Sequence, residues 1–392
     1  MKVLFVCPWL PWPLNAGGKI RTFNLIRAAS ASSEIHLRAV LEPDQDARMV
    51  DELRPYCASV RVFPRTRPGP VMRWSRTKLE RWFHSPALRA AVAEDLRGGF
   101  DLVHLDELLL ARVPGAPNGT PVVQHHHKLD TVLYEITTAR DGMQRHFDLW
   151  KLRRLESESA RRFQHHLLCS EGDAAILTQR HPRVRCGVLP SGYDPGYFHP
   201  TDPRPTRESD LLLFLGSMDY EPNVEAVLRF ARETLPRIRR RRPGVRLEVV
   251  GRAPSPEVRA LREPGVAITG EVPDVRPYLE RAALMVVPLR IGGGTRLKIV
   301  EALGMACPVL STRVGAEGLG LEDGRELALA EGEEGFARRA LVLLEDPARA
   351  QRLGHAGRRA VLERYDWKVL GGRLVDYWQG VVAAERGTMQ AV

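Results

Sequence analysis

No Cys-x-x-Cys pair occurs in these 392 residues, and the five cysteines (Cys7, Cys57, Cys169, Cys186 and Cys307) are odd in number and far apart. That excludes a disulfide framework and a cysteine-bound zinc site, and it points to reduced thiols in a cytosol. No apolar run reaches the roughly 18 residues needed to span a bilayer. The opening stretch MKVLFVCPWLPWPLNAGG has a short apolar run before Pro8, no basic residue beyond Lys2 and no small-residue cleavage site. It reads as a buried first strand rather than a secretory leader. The spacing G-x-x-x-x-G-K-[ST] is missing, which removes a P-loop ATPase. No strand-like run is followed by G-x-G-x-x-G, which counts against a dinucleotide-dependent oxidoreductase, the runner-up among enzymes for such a pattern of elements.

The remaining composition is that of a soluble globular chain, 44% hydrophobic and 27% charged. Its length suggests two domains of about 190 residues each. The net charge of +10 is carried far more by arginine than by lysine. Such a balance favours anionic partners (nucleotides, nucleic acid or an acidic membrane surface) unless the arginines simply line solvated helix faces.

Short runs rich in Val, Leu and Ile alternate with longer helical patterns. Strands are expected at 2–7, 35–41, 59–63, 101–105, 121–125 and 165–169, and again at 211–216, 245–251, 266–270, 284–289, 307–312 and 326–330. Strands spaced by helices imply parallel sheets with right-handed crossovers. The expected fold is therefore α/β, two doubly wound Rossmann-like domains facing a cleft. Domain boundaries are drawn at 1–187 and 211–364. A linker over 188–210, dense in Pro, Gly, Asp and Ser, separates them. Residues 365–392 form a terminal helix, weakened by Gly371 and Gly372, that returns to the first domain. Ligands of open α/β sheets sit at the carboxyl ends of strands, here the loops after 7, 105, 125, 216, 251, 270 and 289.

One of those loops stands out. Residues 288–312 read PLRIGGGTRLKIVEALGMACPVLST. Gly292, Gly293 and Gly294 run into a helix for which Thr295 is a good N-cap, with an end near Ala306. Glycine backbone and a helix N-terminus cradle a diphosphate, and Arg296 and Lys298 add charge. Glu301, placed about two turns in, would repel phosphate but can accept hydrogen bonds from a ribose diol. The alternative is a surface Lys298–Glu301 pair.

Three further stretches carry chemistry. Gly17 and Gly18 open a helix bearing Lys19 and Arg21 in its first turn, so an anion is expected to offset those cations, unless the glycines make a plain turn. His125, His126 and His127 follow a buried strand. Adjacent residues of an extended chain face opposite ways and cannot all ligate one metal ion, so one cleft-facing histidine is the expectation. Asp44 and Asp46 form a D-x-D pair that could hold a divalent ion, or a solvated turn. The segment RTRPGPVMRWSRTKLERWF (65–83) interleaves arginines with Trp74, Trp82 and Phe83, which suits an anionic membrane surface or an ordinary amphipathic helix.

Taken together, LLFLGSMDYEPN, LEVVGRAPSPEV, the run from ITGEVPDVRPY through VLSTRVGAEGL, and VLPSGYDPGYFHP resemble the retaining GT-B glycosyltransferases of family 4. They look most like the bacterial sugar transferases of exopolysaccharide clusters. Over the first 180 residues the resemblance rests on PWPLNAGGKIRTFNLIRAA and HKLDTVLY. It implies a metal-independent hexosyltransferase that moves a sugar from a UDP- or GDP-linked donor, a substrate rather than a cofactor. The implied acceptor is a lipid-linked or polysaccharide intermediate, with a soluble small molecule as the alternative. The place of work would be the cytoplasm, peripheral at the inner membrane face.

By position, Glu301 matches the second glutamate of the family's E-x7-E motif, on the donor ribose. Arg296 and Lys298 match basic residues at the diphosphate. Gly216 and Ser217 match the first donor-domain loop, Arg252 follows its second strand, and Glu271 and Val272 fall where backbone meets the base. Gly18 matches the glycine loop under the phosphates. His127 aligns best with the histidine near the sugar, with His125 and His126 as alternatives, and Arg21 and Asp130 are placed on the acceptor side. Gly293 stands where the motif's first glutamate belongs, and SMDYEPN replaces the usual Arg…Lys pair, so Arg296 and Lys298 must supply most of the positive charge. A basic nucleic-acid-binding protein remains as another class, but the basic residues alternate with acids and no aromatic-studded RNA motif is present.

Overall fold

The structure is a computed structural model that describes residues 1–42, 45–113, 119–137, 142–291 and 296–390. It divides into two compact units, Met1–Pro190 with Trp367–Val392, and Ser191–Asp366.

The first unit is built on a seven-stranded parallel sheet of β1 (Lys2–Cys7), β2 (Glu34–Leu41), β3 (Ser59–Pro64), β4 (Leu102–Asp106), β5 (Val122–His126), β6 (His165–Leu168) and β7 (Arg185–Val188). The spatial order is β3-β2-β1-β4-β5-β6-β7, so the winding reverses between β1 and β4. There Phe5 lies in register with Leu37 on one side and His104 on the other. Strands β4 and β5 are buried along their whole length, as a sheet covered on both faces requires.

The second unit holds a six-stranded parallel sheet of β8 (Glu208–Leu215), β9 (Arg246–Val250), β10 (Val266–Gly270), β11 (Ala282–Val287), β12 (Val309–Ser311) and β13 (Ala328–Leu329). Its order, β10-β9-β8-β11-β12-β13, reverses between β8 and β11. Both sheets are doubly wound, as expected from the alternation of apolar runs and helical patterns.

Three local details differ from the sequence reading. Strand β7 takes up RCGV, a short and only half-buried edge that composition does not flag. The irregular stretch between the sheets is therefore shorter than the Pro- and Gly-rich composition suggests, from 189 to 207. The last helix runs unbroken over Trp367–Gln390. Gly371 admits the helix Gly17–Ala29, since a Cβ at Gly371 would lie 2.3 Å from that of Ala28. Trp378 on this helix is fully buried in the first unit's core.

Candidate functional site

In the second unit the strand ends are laced together at their carboxyl edge. Gly216 N–H donates to Val250 O (3.1 Å), Gly251 N–H to Gly270 O (2.8 Å), and Met218 N–H to Arg252 O (2.9 Å). A Cβ at Gly251 would sit 1.8 Å from the Gly216 carbonyl oxygen, so only glycine permits that approach. A Cβ at Gly216 would lie 2.7 Å from Lys298 Nζ, which places the ammonium directly over this loop.

Lys298 belongs to the helix Leu297–Gly304, whose Ile299, Val300, Ala302 and Leu303 are buried. The helix corrects two expectations. Its N-cap is Arg296, with no side-chain cap, rather than Thr295, and it ends at Gly304 rather than near Ala306. Glu301 thus sits just over one turn in, not two. Gly292, Gly293, Gly294 and Thr295 lie outside the described residues, as does Asp44. Asp46 accepts a hydrogen bond from Arg48 N–H and pairs with its guanidinium, the arrangement of a solvated turn.

Lys298 Nζ donates to Asn223 Oδ1 (2.8 Å) and stands 4.6 Å from the centre of the Phe214 ring. Asn223 Nδ2 donates to the Ser217 carbonyl (2.8 Å). Arg252 Nε donates to Ser217 Oγ (3.0 Å), which in turn donates to Asp219 Oδ1 (2.5 Å). Gly216, Ser217, Arg252 and Lys298 are therefore brought together, joined by Asn223 and Asp219, which no spacing motif marked. Burial, then Arg296, pushes the Lys298 ammonium down to about 7, and burial pushes the Glu301 carboxyl up to about 7 against the pull of Lys298. Both side chains are half-buried and no salt bridge joins them, so the surface-pair alternative fails. Arg296 is buried, its guanidinium 3.5 Å from the Val314 carbonyl. Glu271, exposed, and Val272, half-buried, follow β10 at the edge where Gly251 meets Gly270.

In the first unit a second cluster forms where the winding reverses. His125 and His126 point to opposite faces of β5, as alternation dictates. His126 turns to His166 (Nε2 to Nδ1, 2.9 Å), whereas His125 and His127 turn to Asp106. His125 and His126 are fully buried, and His127 keeps a little exposure at its side chain.

The proton inventory of this cluster can be worked out from its obligatory donors. Trp378 Nε1–H can only donate, so His104 Nδ1 accepts (3.1 Å) and His104 Nε2 carries the hydrogen. Arg21 can only donate, so His125 Nε2 accepts (2.9 Å) and Nδ1 carries the hydrogen. Both inner N–H groups face Asp106 Oδ1, at 3.9 and 3.1 Å, and His127 Nε2 reaches the same oxygen at 2.8 Å. Thr22 Oγ1 donates to Oδ2 at 2.5 Å. Burial acts to raise the Asp106 carboxyl, yet His127, His104 and His125 hold it well below the usual range. One atom each of His104, Asp106 and His125 lies within 4.8 Å of the others, a spacing that would suit a cation. His104 Nε2 also lies 3.1 Å from His125 Nδ1, so these atoms are engaged with one another and with Asp106.

The other predicted residues lie around this core. A Cβ at Gly18 would lie 3.0 Å from the Trp9 ring and 3.5 Å from His127 Nδ1. Lys19 pairs with Glu42 at 2.7 Å, so its offsetting anion comes from the protein itself. Arg21, 1% exposed, spends its guanidinium inside the cluster and on the Leu189 carbonyl (2.6 Å). Asp130 starts the helix Asp130–Thr137, 3.2 Å from Lys128 Nζ. Glu107, which sequence did not single out, brings Oε1 to 3.2 Å from His127 Nδ1.

Residues 209–346 match the family model described as glycosyl transferases group 1. Over 162 residues the chain is 30% identical to the GDP-mannose-dependent alpha-(1-6)-phosphatidylinositol monomannoside mannosyltransferase of Mycolicibacterium smegmatis, covering 37% of this chain and 42% of that one. It is 25% identical over 213 residues to a glycogen synthase of Mycobacterium tuberculosis, covering 52% and 50%. The chain thus spans about half the length of the curated relatives it matches. Among solved structures, Anabaena Alr3699/HepE in complex with UDP and glucose superposes with a TM-score of 0.66 at 16% identity, over 96% of this chain and 98% of that one. TarM superposes with 0.69 at 11% identity, over 96% and 99%. These likenesses show the fold, two parallel-sheet α/β domains of the GT-B type.

Proposed function

We propose that the protein is a glycosyltransferase that moves a hexosyl group from a UDP- or GDP-linked donor held by the second unit. The observation that carries this reading is the seating of Lys298 over Gly216, with Glu301 on the same helix and Arg296 at its N-cap, inside the segment that matches the glycosyltransferase family. Cleaving a sugar–phosphate bond leaves negative charge on a nucleoside diphosphate. Lys298, Arg296, the loop N–H groups and the helix N-terminus would meet that charge without a metal ion. Glu301, whose carboxyl has no hydrogen-bond partner among the described residues, would take the ribose diol. The resemblance assigns His127 to the transferred sugar and Arg21 and Asp130 to the acceptor.

Retention of configuration and membership of family 4 follow from the resemblance of the motifs. So does an acceptor that is a lipid-linked or polysaccharide intermediate, met in the cytoplasm at the inner membrane face. Among the described residues no helix is long and apolar enough to cross a membrane. A nucleic-acid partner is disfavoured by the pairing of the arginine-rich helix: Arg237 faces Glu334 at 3.8 Å and Arg242 bonds Asp210. The test is calorimetric titration with UDP, GDP and ADP, with and without magnesium, on the wild type, Glu301→Ala and Arg296→Ala. Binding of one diphosphate that survives chelation and is lost in both variants is expected. No binding to any of the three would sink the donor site.

A further inference from the structure

The backbone at Glu107 is unusual. Its φ of 107° lies in a region that glycine enters freely and side-chain-bearing residues rarely adopt. Strain of this kind persists where the surroundings over-determine it, and it clusters at functional positions. Glu107 directly follows β4, beside the reversal between β1 and β4, where open α/β sheets bind ligands. Its own N–H donates to the His125 carbonyl at 2.9 Å, which fixes the turn. In an extended chain Asp106 and Glu107 would point to opposite sides. The turned backbone instead brings both consecutive carboxyls to one imidazole, Asp106 at Nε2 (2.8 Å) and Glu107 at Nδ1 (3.2 Å).

We propose that Glu107 is a positioning residue for His127: with Asp106 it grips both ring nitrogens and so fixes the ring beside Gly18. What the ring faces, a sugar or a phosphate oxygen, rests on the glycosyl-transfer reading; the grip itself does not. Burial pushes the Glu107 carboxyl up, against Lys128 and His127. Lys128 Nζ lies 3.9 Å from Glu107 and 3.2 Å from Asp130, and from β5 the His125 ring, backed by Arg21, stands 5.1 Å from that of His127.

The test is a histidine-labelled NMR titration of the full chain, comparing wild type, Glu107→Gln and Glu107→Gly, with His127→Gln to assign the resonance. In both variants His127 should lose its second proton at a pH lower by about one unit, the effect of removing one close opposite charge. Glu107→Gly should also raise the Tm, because glycine relieves the backbone. Turnover should fall about tenfold with the donor KM nearly unchanged. An unmoved His127 titration in both variants overturns the grip, and a lower Tm for Glu107→Gly overturns the strain. Because the titration needs no nucleotide, failure of the donor site in the second unit would not be mistaken for failure here.

Discussion

At the scale of single residues, Lys298 and Glu301 hold charge where burial resists it, and both titrate near neutrality. The Lys298 ammonium loses its proton as pH rises through about 7, and the Glu301 carboxyl is ionised only above about 7. Diphosphate affinity should therefore peak close to pH 7 and weaken toward tenfold per unit on the alkaline side. Titration calorimetry between pH 5.5 and 9 checks this; Lys298→Ala should lose the alkaline limb, and an unchanged profile in that variant would contradict the assignment. The two stability contributions run in opposite directions with pH. The raised Glu301 value gives stability that is present below the ordinary 4.5 and lost as pH rises through about 7. The lowered Lys298 value gives stability that is present above the ordinary 10.5 and lost as pH falls through about 7. Spacing reaches Lys298 and Glu301 because a glycine run before a helix leaves a linear trace. Asn223, Asp106 and Glu107 leave none: each acquires its place from a partner on another element, and the φ of Glu107 is imposed by tertiary neighbours.

At the scale of elements, the strands were readable because a sheet buried on both faces demands continuous apolar runs. Strand β7 escaped because an edge strand carrying Gly187 needs no such run. The helix Pro70–Ser75 shows another side of the segment 65–83. Val71 and Trp74 on it are 78% and 75% exposed, and the Trp74 ring stands 6.4 Å from Phe147, which stacks on the half-exposed Trp150 of the helix Met143–Arg162. Arg154 lies 5.5 Å from the Trp150 ring, and Arg65 4.2 Å from that of Trp82. Aromatic rings beside cations suit an anionic bilayer interface. Co-sedimentation with phosphatidylglycerol-rich vesicles should fall roughly tenfold in Trp74→Ser/Trp150→Ser. Equal binding by variant and wild type would leave these rings without a membrane role.

At the scale of the whole molecule, each unit has its own buried core, and the fold class was legible for that reason: two sets of alternating runs either side of one irregular stretch. Scanning calorimetry should resolve two transitions. Saturating diphosphate should raise only that of the second unit. Trp378→Phe should lower only that of the first, by about 1–3 kcal/mol, because it strands the buried His104 Nδ1 without its donor. A single transition moved by both would refute this separation. The first unit is also discontinuous along the chain, since the helix Trp367–Gln390 covers the helix Gly17–Ala29 and supplies that donor. On a ribosome, the stretch between Pro190 and Trp367 takes roughly 10–35 s to make at typical rates. During that time the amino-terminal sheet is fully synthesised yet lacks its lid, with His104 unsatisfied. The later-made unit can finish first, so order of synthesis and order of folding are reversed, and the early half is the one that needs a chaperone's cover.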